Sequence, residues 1–179
     1  MRTDPIDGKQ PAPGQKSGPG TIGETLTRLP DQTILKDRFE RCVAQLNRRG
    51  HAICLVLISI DNLPGLENTL GLDMGDLVIR EFSSRLQAMV RRSDTVAALA
   101  RNRFVILSPV TDASHAAIVL EKLTKAVNLP ISTDRHVLNV SCKAGVSIAP
   151  MDGDDYATLL ANATEAHRRA KRTVGTCYE

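Results

Sequence analysis

The sequence predicts one α/β domain in which a mixed central β-sheet is flanked by helices. Three observations carry this. Segments with apolar residues at helical spacing alternate with short aliphatic runs. One run, 52–59 (AICLVLIS), is uninterrupted, as suits a strand buried on both faces and central in its sheet. Two further runs, 95–99 and 104–107, are separated only by Ala100, Arg101, Asn102 and Arg103, the spacing of a β-hairpin whose turn can use Asn102 at positive φ.

Residues 1–20 are rich in Pro and Gly with one aliphatic residue, so they cannot offset the entropy of ordering and are expected to form a flexible tail, with the folded domain spanning 21–179. Ile34, Leu35, Phe39, Val43 and Leu46 recur at helical spacing until Arg48, Arg49 and Gly50 close the first helix. Residues 62–71, with Pro64, Gly65 and Gly71, read as a connection. Leu77, Val78, Phe82, Leu86, Met89 and Val90 then mark a second helix ending near Arg92. A third helix runs through Ala116, Leu120, Leu123 and Val127, residues 137–146 alternate as a strand, and 154–173 form a last helix with a basic C-terminal end. The helix between first strand and hairpin implies a crossover, which places the hairpin at or near the middle of the sheet.

Composition excludes several function classes. The chain has 179 residues, and 23 Lys+Arg against 20 Asp+Glu give 23 − 20 = +3 with five aromatic residues, too few stacking rings and too little basic excess for a nucleic-acid tracker. Cys42, Cys54, Cys142 and Cys177 are widely separated and show no metal-ligand spacing with the four histidines, so they are expected to be reduced, mostly core thiols. His115, His136 and His167 read as surface or cap residues. The longest apolar run is less than half of the ~20 residues a spanning helix needs, and the N-terminus lacks a hydrophobic signal segment, so no membrane segment and a cytoplasmic location are expected. Nothing in the composition calls for a cofactor.

Ordered landmarks then point to a family. They are TLTRLP (25–30), the first strand followed by IDN (60–62), NTLGLDMGD (68–76), RRSDTVA (91–97), RFVIL (103–107), VSCKAGV (140–146), PMDGDD (150–155), and LLANA and RAKR in the last helix. Over about 24–178 the chain resembles the GGDEF domain family of bacterial diguanylate cyclases. The resemblance implies a nucleotide-cyclase-like fold with a ferredoxin-like core, which condenses two GTP into cyclic di-GMP across a dimer with metal-binding acids at the end of the first strand and in the hairpin turn.

The departures fall on those positions. The signature Gly-Gly-Asp/Glu-Glu-Phe lies on Ala100, Arg101, Asn102, Arg103 and Phe104, and the metal-binding acid of the first strand on Ser59. Side chains replace the glycines that let the backbone approach a triphosphate, and neutral groups replace carboxylates that hard divalent cations need. Each such role is worth on the order of several kcal/mol, so no metal and no cyclase activity are expected. Among guanine-reading positions Asp76 matches the family acid, but Glu67 stands where an asparagine is expected, and an acceptor-only carboxylate cannot copy an amide. Pro64 replaces a lysine, while Lys171 matches a phosphate-contacting lysine. Ser59, Glu67, Asp76, Ala100, Arg101, Asn102, Arg103 and Lys171 thus read as a vestigial active site. Arg101 and Arg103 themselves read either as an exposed tip that drifted or as an anion or protein contact.

The product-binding inhibitory site of the family, an Arg-x-x-Asp ending five residues before the signature, is retained as Arg91-Arg92-Ser93-Asp94. Arginine can pair with the Hoogsteen edge of guanine or with phosphate, and a carboxylate can accept from guanine N1–H and N2–H. Counting from Phe104 places Lys122 at the third, basic position. The plainer reading is a solvated pair capping a helix end. The resemblance implies a non-catalytic receptor for cyclic di-GMP that promotes dimerisation and signals to a protein partner or an adjacent effector domain, of EAL type in related architectures. The alternatives are a ligand-free interaction scaffold and a residual GTP-binding or cyclase domain.

Overall fold

The structure is a computed structural model and describes residues 26–46 and 52–173. The expected tail, the closure of the first helix at 48–50 and Cys177 lie outside the described residues. The elements are α1 (Gln32–Leu46), β1 (Ala52–Ile60), α2 (Leu63–Leu70), α3 (Leu72–Met89), β2 (Thr95–Ala100), β3 (Arg103–Val110), α4 (Ala113–Val127), β4 (Ile131–Ser132), β5 (Val137–Leu138), β6 (Cys142–Ala149) and α5 (Tyr156–Arg172).

The main sheet has the order β2-β3-β1-β6, and β4 pairs with β5 in a separate two-stranded ladder. The expected α/β arrangement, a central sheet flanked by helices, is present. Each neighbouring pair in the main sheet is antiparallel. The helical crossover from β1 to β2 does leave those two strands parallel, but β3 lies between them. The hairpin therefore reaches from the interior to an edge, and β1 and β3 occupy the middle.

Burial on both faces explains the uninterrupted run in β1. Cys54, Val56, Ile58 and Ile60 join Phe82, Leu86, Phe104, Ile106 and Leu120 on one face, under α3 and α4. Ile53, Leu55 and Leu57 join Leu35, Phe39, Val105, Leu107 and Leu159 on the other, under α1 and α5. Alternate residues of a strand point to opposite faces, so both sets must be apolar. Cys54 is a buried free thiol, and Cys142 is buried as well. Burial, with Asp94's charge adding, pushes the Cys54 thiol up to about 12.

Four expectations are corrected. Residues 63–70 are helical rather than a connection, with Pro64 in the first turn, where its missing N–H costs nothing. Gly71 (φ +90) then separates α2 from α3, a conformation that a side chain would strain. The strand expected at 137–146 is broken: 137–138 pair with β4 and the sheet strand begins at Cys142. The β2–β3 turn closes without positive φ at Asn102, because a bulge between Ala98 and Ala100 makes the adjustment instead. His167 is buried at 7% exposure, not a surface residue.

Candidate functional site

Two clusters hold the residues singled out in the sequence. The first surrounds the β2–β3 turn and the end of β1. Ser59 pairs with Arg103 on one side and Lys143 on the other, and the Ile60 N–H donates to the Asn102 carbonyl at 3.0 Å. Ser59 is 1% exposed, and its Oγ lies 2.7 Å from Nε2 of His167 on α5. Burial holds the His167 pKa below its ordinary value, the cations Lys171 and Arg103 push the same way, and Asp61 opposes them. The neutral imidazole and the hydroxyl satisfy each other. One turn along α5, Lys171 Nζ lies 2.8 Å from Asp61 Oδ1.

Arg101 reaches from the turn to both helices of the crossover. Its Nε and Nη2 donate to Glu67 Oε1 at 3.0 and 2.7 Å, and Nη2 also donates to Asp76 Oδ1 at 2.7 Å. The bonds to Glu67 are the largest influence raising the Arg101 pKa. Gly75 makes room: a side chain there would collide with the Glu67 carboxylate. The reading of Arg101 as an exposed tip is therefore corrected, since its guanidinium is half-buried between two carboxylates. The clue in the sequence was a pair of changes, Arg for Gly and Glu for Asn, whose charges are complementary. Arg103 is exposed.

The second cluster lies where α3 ends and α4 begins. Asp94 accepts from the Arg91 N–H at 2.8 Å and from the Ser108 hydroxyl at 2.9 Å, so its carboxylate ties the turn after α3 to β3. These bonds close the turn that follows α3 and do not cap its end, which presents carbonyls rather than N–H groups. Arg91, Asp94 and Lys122 also border one concavity of about 110 Å³ with His115 and apolar groups including Ile118. Arg91 Nη2 lies 3.5 Å from His115 Nε2. The sequence reads His115 only as a surface or cap residue, yet its seven-residue spacing from Lys122 puts both on one stripe of α4.

Residues 23–176 match the family model described as diguanylate cyclase, GGDEF domain. The chain belongs to the GGDEF domain family. It is 32% identical over 159 residues, 88% of its length, to the bifunctional diguanylate cyclase/cyclic di-GMP phosphodiesterase MucR of Pseudomonas aeruginosa. This GGDEF domain spans 23% of that relative and 19% of a second, the cyclic di-GMP phosphodiesterase NbdA of the same species, to which it is 29% identical over 83% of its own length. Among solved structures it is similar to a sensory box/GGDEF family protein from Caulobacter crescentus, with a TM-score of 0.80 and 26% identity covering 84% of this chain and 97% of that one. It is also similar to the diguanylate cyclase SiaD of Pseudomonas aeruginosa in complex with its activator SiaC, with a TM-score of 0.77 and 27% identity covering 84% and 58%. No helix among the described residues is long and apolar enough to cross a membrane.

The metal ions of GGDEF cyclases need a cage of anionic oxygens, and the groups at this GGDEF domain's turn do not fit it. Ser59 Oγ is taken up by His167, and Asn102 supplies a neutral amide that turns its Nδ2 toward the Ile60 carbonyl at 3.4 Å. The nearby carboxylate, Asp61, is held by an ammonium, and Arg103 occupies the next turn position. Hard divalent cations favour several carboxylate or carbonyl oxygens, and cations in their place repel them.

Proposed function

We propose that this GGDEF domain is a non-catalytic regulatory module that binds cyclic di-GMP at Arg91, Asp94 and Lys122. The observation that carries the non-catalytic half is the Arg101 bridge. Its guanidinium presents N–H donors to Glu67 and Asp76, the two guanine-reading positions, much as the edge of guanine would, and so takes the place of the base. Without carboxylates at Ser59 and Asn102, metal-assisted phosphoryl transfer loses the ions that neutralise developing charge.

The receptor half rests on the second cluster. The Arg91 fork and the Asp94 carboxylate offer the donor and acceptor sets that read guanine, Lys122 adds charge toward phosphate, and Ile118 offers an apolar surface against a base. Ligand would act by its differential affinity for an associated state, with one nucleotide dimer bridging this site to a basic patch on a second copy. The recipient of the signal is a protein partner or an adjacent effector domain. The name of MucR joins cyclase and phosphodiesterase activities in one chain, which favours an adjacent phosphodiesterase of EAL type.

Calorimetric titration with cyclic di-GMP and GTP in parallel tests the proposal. Saturable binding of cyclic di-GMP supports it, and no binding by the intact chain refutes it. Incubation with GTP and Mg²⁺ or Mn²⁺ followed by chromatography tests the non-catalytic half, which any cyclic dinucleotide product overturns. A second reading, a ligand-free interaction scaffold, is favoured by the structural bonds that Asp94 already makes. It predicts partner capture that neither cyclic di-GMP nor Asp94→Asn alters.

A further inference from the structure

On the other face of the sheet, α1 and α5 do not close on each other. They leave a groove of about 1140 Å³ floored by Phe39, Val43, Tyr156 and Leu160. Phe39 and Tyr156 meet edge to face with ring centroids 5.9 Å apart, so the floor is a packed extension of the core rather than a loose gap. The α5 wall exposes Ala157 and Ala161, one helical turn apart, whose small side chains let another backbone come close.

Two features indicate what the groove takes. Its rim is acidic: Glu40, Asp154 and Glu165 stand against Lys36 in a chain of net charge +3. Glu165 pairs with Arg168, whereas among the described residues neither Glu40 nor Asp154 has an ion-pair partner. At the floor, the Tyr156 hydroxyl is buried with no hydrogen bond formed, although the Gln32 side chain lies alongside. A buried polar atom left unsatisfied is costly, and an incoming polar group would satisfy it.

We propose that this groove is a docking site for an amphipathic helix of a partner protein, one carrying an apolar stripe flanked by Lys or Arg. A third helix laid between α1 and α5 buries its stripe on Phe39, Val43, Tyr156 and Leu160 and sets its cations against Glu40 and Asp154. The site is separate from the Arg91 cluster, and docking does not depend on the nucleotide reading.

The test uses the full chain and a fluorescein-labelled amphipathic Leu/Lys peptide of about five helical turns, with a Leu/Glu peptide of the same pattern as control. Anisotropy is expected to show saturable binding of the Leu/Lys peptide alone. Ala161→Trp, at an exposed position where the fold tolerates a larger side chain, and the pair Glu40→Lys/Asp154→Lys are each expected to weaken it about tenfold or more. Unchanged melting temperatures establish that the variants fold. Equal binding of both peptides, or Leu/Lys binding that Ala161→Trp leaves intact, overturns the proposal. So does self-association of the chain that Ala161→Trp abolishes while neither peptide binds, since the occupant is then a second copy.

Discussion

Arg101 and Glu67, 34 positions apart in sequence, are joined by two N–H···O bonds of 2.7 and 3.0 Å to a single carboxylate oxygen. The pair links the β2–β3 turn to α2, and the further bond to Asp76 links it to α3. Removing the arginine leaves two carboxylates facing one space without a counter-charge. With Arg101 32% and Glu67 17% exposed, solvent screens much of the attraction. A double-mutant cycle of Arg101→Ala and Glu67→Gln in urea unfolding is expected to give a coupling of about 1 kcal/mol. Independent effects of the two changes would mean that the contact is not stabilising.

The same bridge makes a functional prediction. Arg101→Gly with Glu67→Asn returns the two positions to the residues expected in the family and frees Asp76 to meet a base. A fluorescent GTP analogue is expected to bind this double variant at least about tenfold more tightly than the unaltered chain, a gain of about 1.4 kcal/mol. No cyclic product is expected, because Ser59 and Asn102 still lack carboxylates. An unchanged affinity would mean that Arg101 does not occlude the site.

At the Arg91 cluster, Arg91→Ala and Asp94→Asn are each expected to weaken cyclic di-GMP binding by calorimetry about tenfold or more, from the loss of a charged hydrogen-bonding partner. Lys122→Arg is expected to strengthen it, since a guanidinium fork can hold a phosphate with two bonds. Asp94→Asn also weakens the tie to Ser108, so its melting temperature must be compared with that of Arg91→Ala, which leaves the carboxylate's bonds in place.

His167 gives a pH dependence of definite sign. Its pKa in the folded chain lies below the ordinary value of 6.5, so the unfolded chain binds the proton more readily. The stability it contributes is present in full above about pH 6.5 and is lost as the pH falls through the lower folded value. Urea midpoints measured from pH 8 to pH 5 are expected to decline, and His167→Gln, which keeps a hydrogen-bonding group beside Ser59, is expected to flatten that slope. An equal slope in the variant would assign the acid sensitivity to other groups.

Gly145 on β6 lies directly beneath α5. A methyl group there would overlap the Ala163 carbonyl and the His167 backbone, neither of which can move without shifting the helix. Gly145→Ala is expected to cost about 3 kcal/mol or to prevent folding, as measured by thermal melting. A loss within about 0.5 kcal/mol would mean that α5 sits less closely on the sheet.

Local patterning was enough to place the main elements. The aliphatic run of β1, the helical spacing of Leu77 to Leu86 and the close pair of runs around Asn102 each express a period that neighbouring residues impose on one another, whatever the rest of the chain does. The family landmarks then carried the topology and located the Arg91 and Asp94 cluster. Residues 63–70 and 137–146 escape a local reading because Pro and Gly are tolerated in a helix's first turn and because alternation continues across a broken strand. Contacts between distant segments leave no periodic trace, and the complementary changes at Arg101 and Glu67 do not by themselves say that the two meet. Arg101 meeting Glu67 and Asp76, His167 folding down onto Ser59, and the opening between α1 and α5 depend on how helices and strands are set against one another in three dimensions. Charge complementarity across 34 residues has no period to reveal it, so only the packed chain brings those groups within hydrogen-bonding distance.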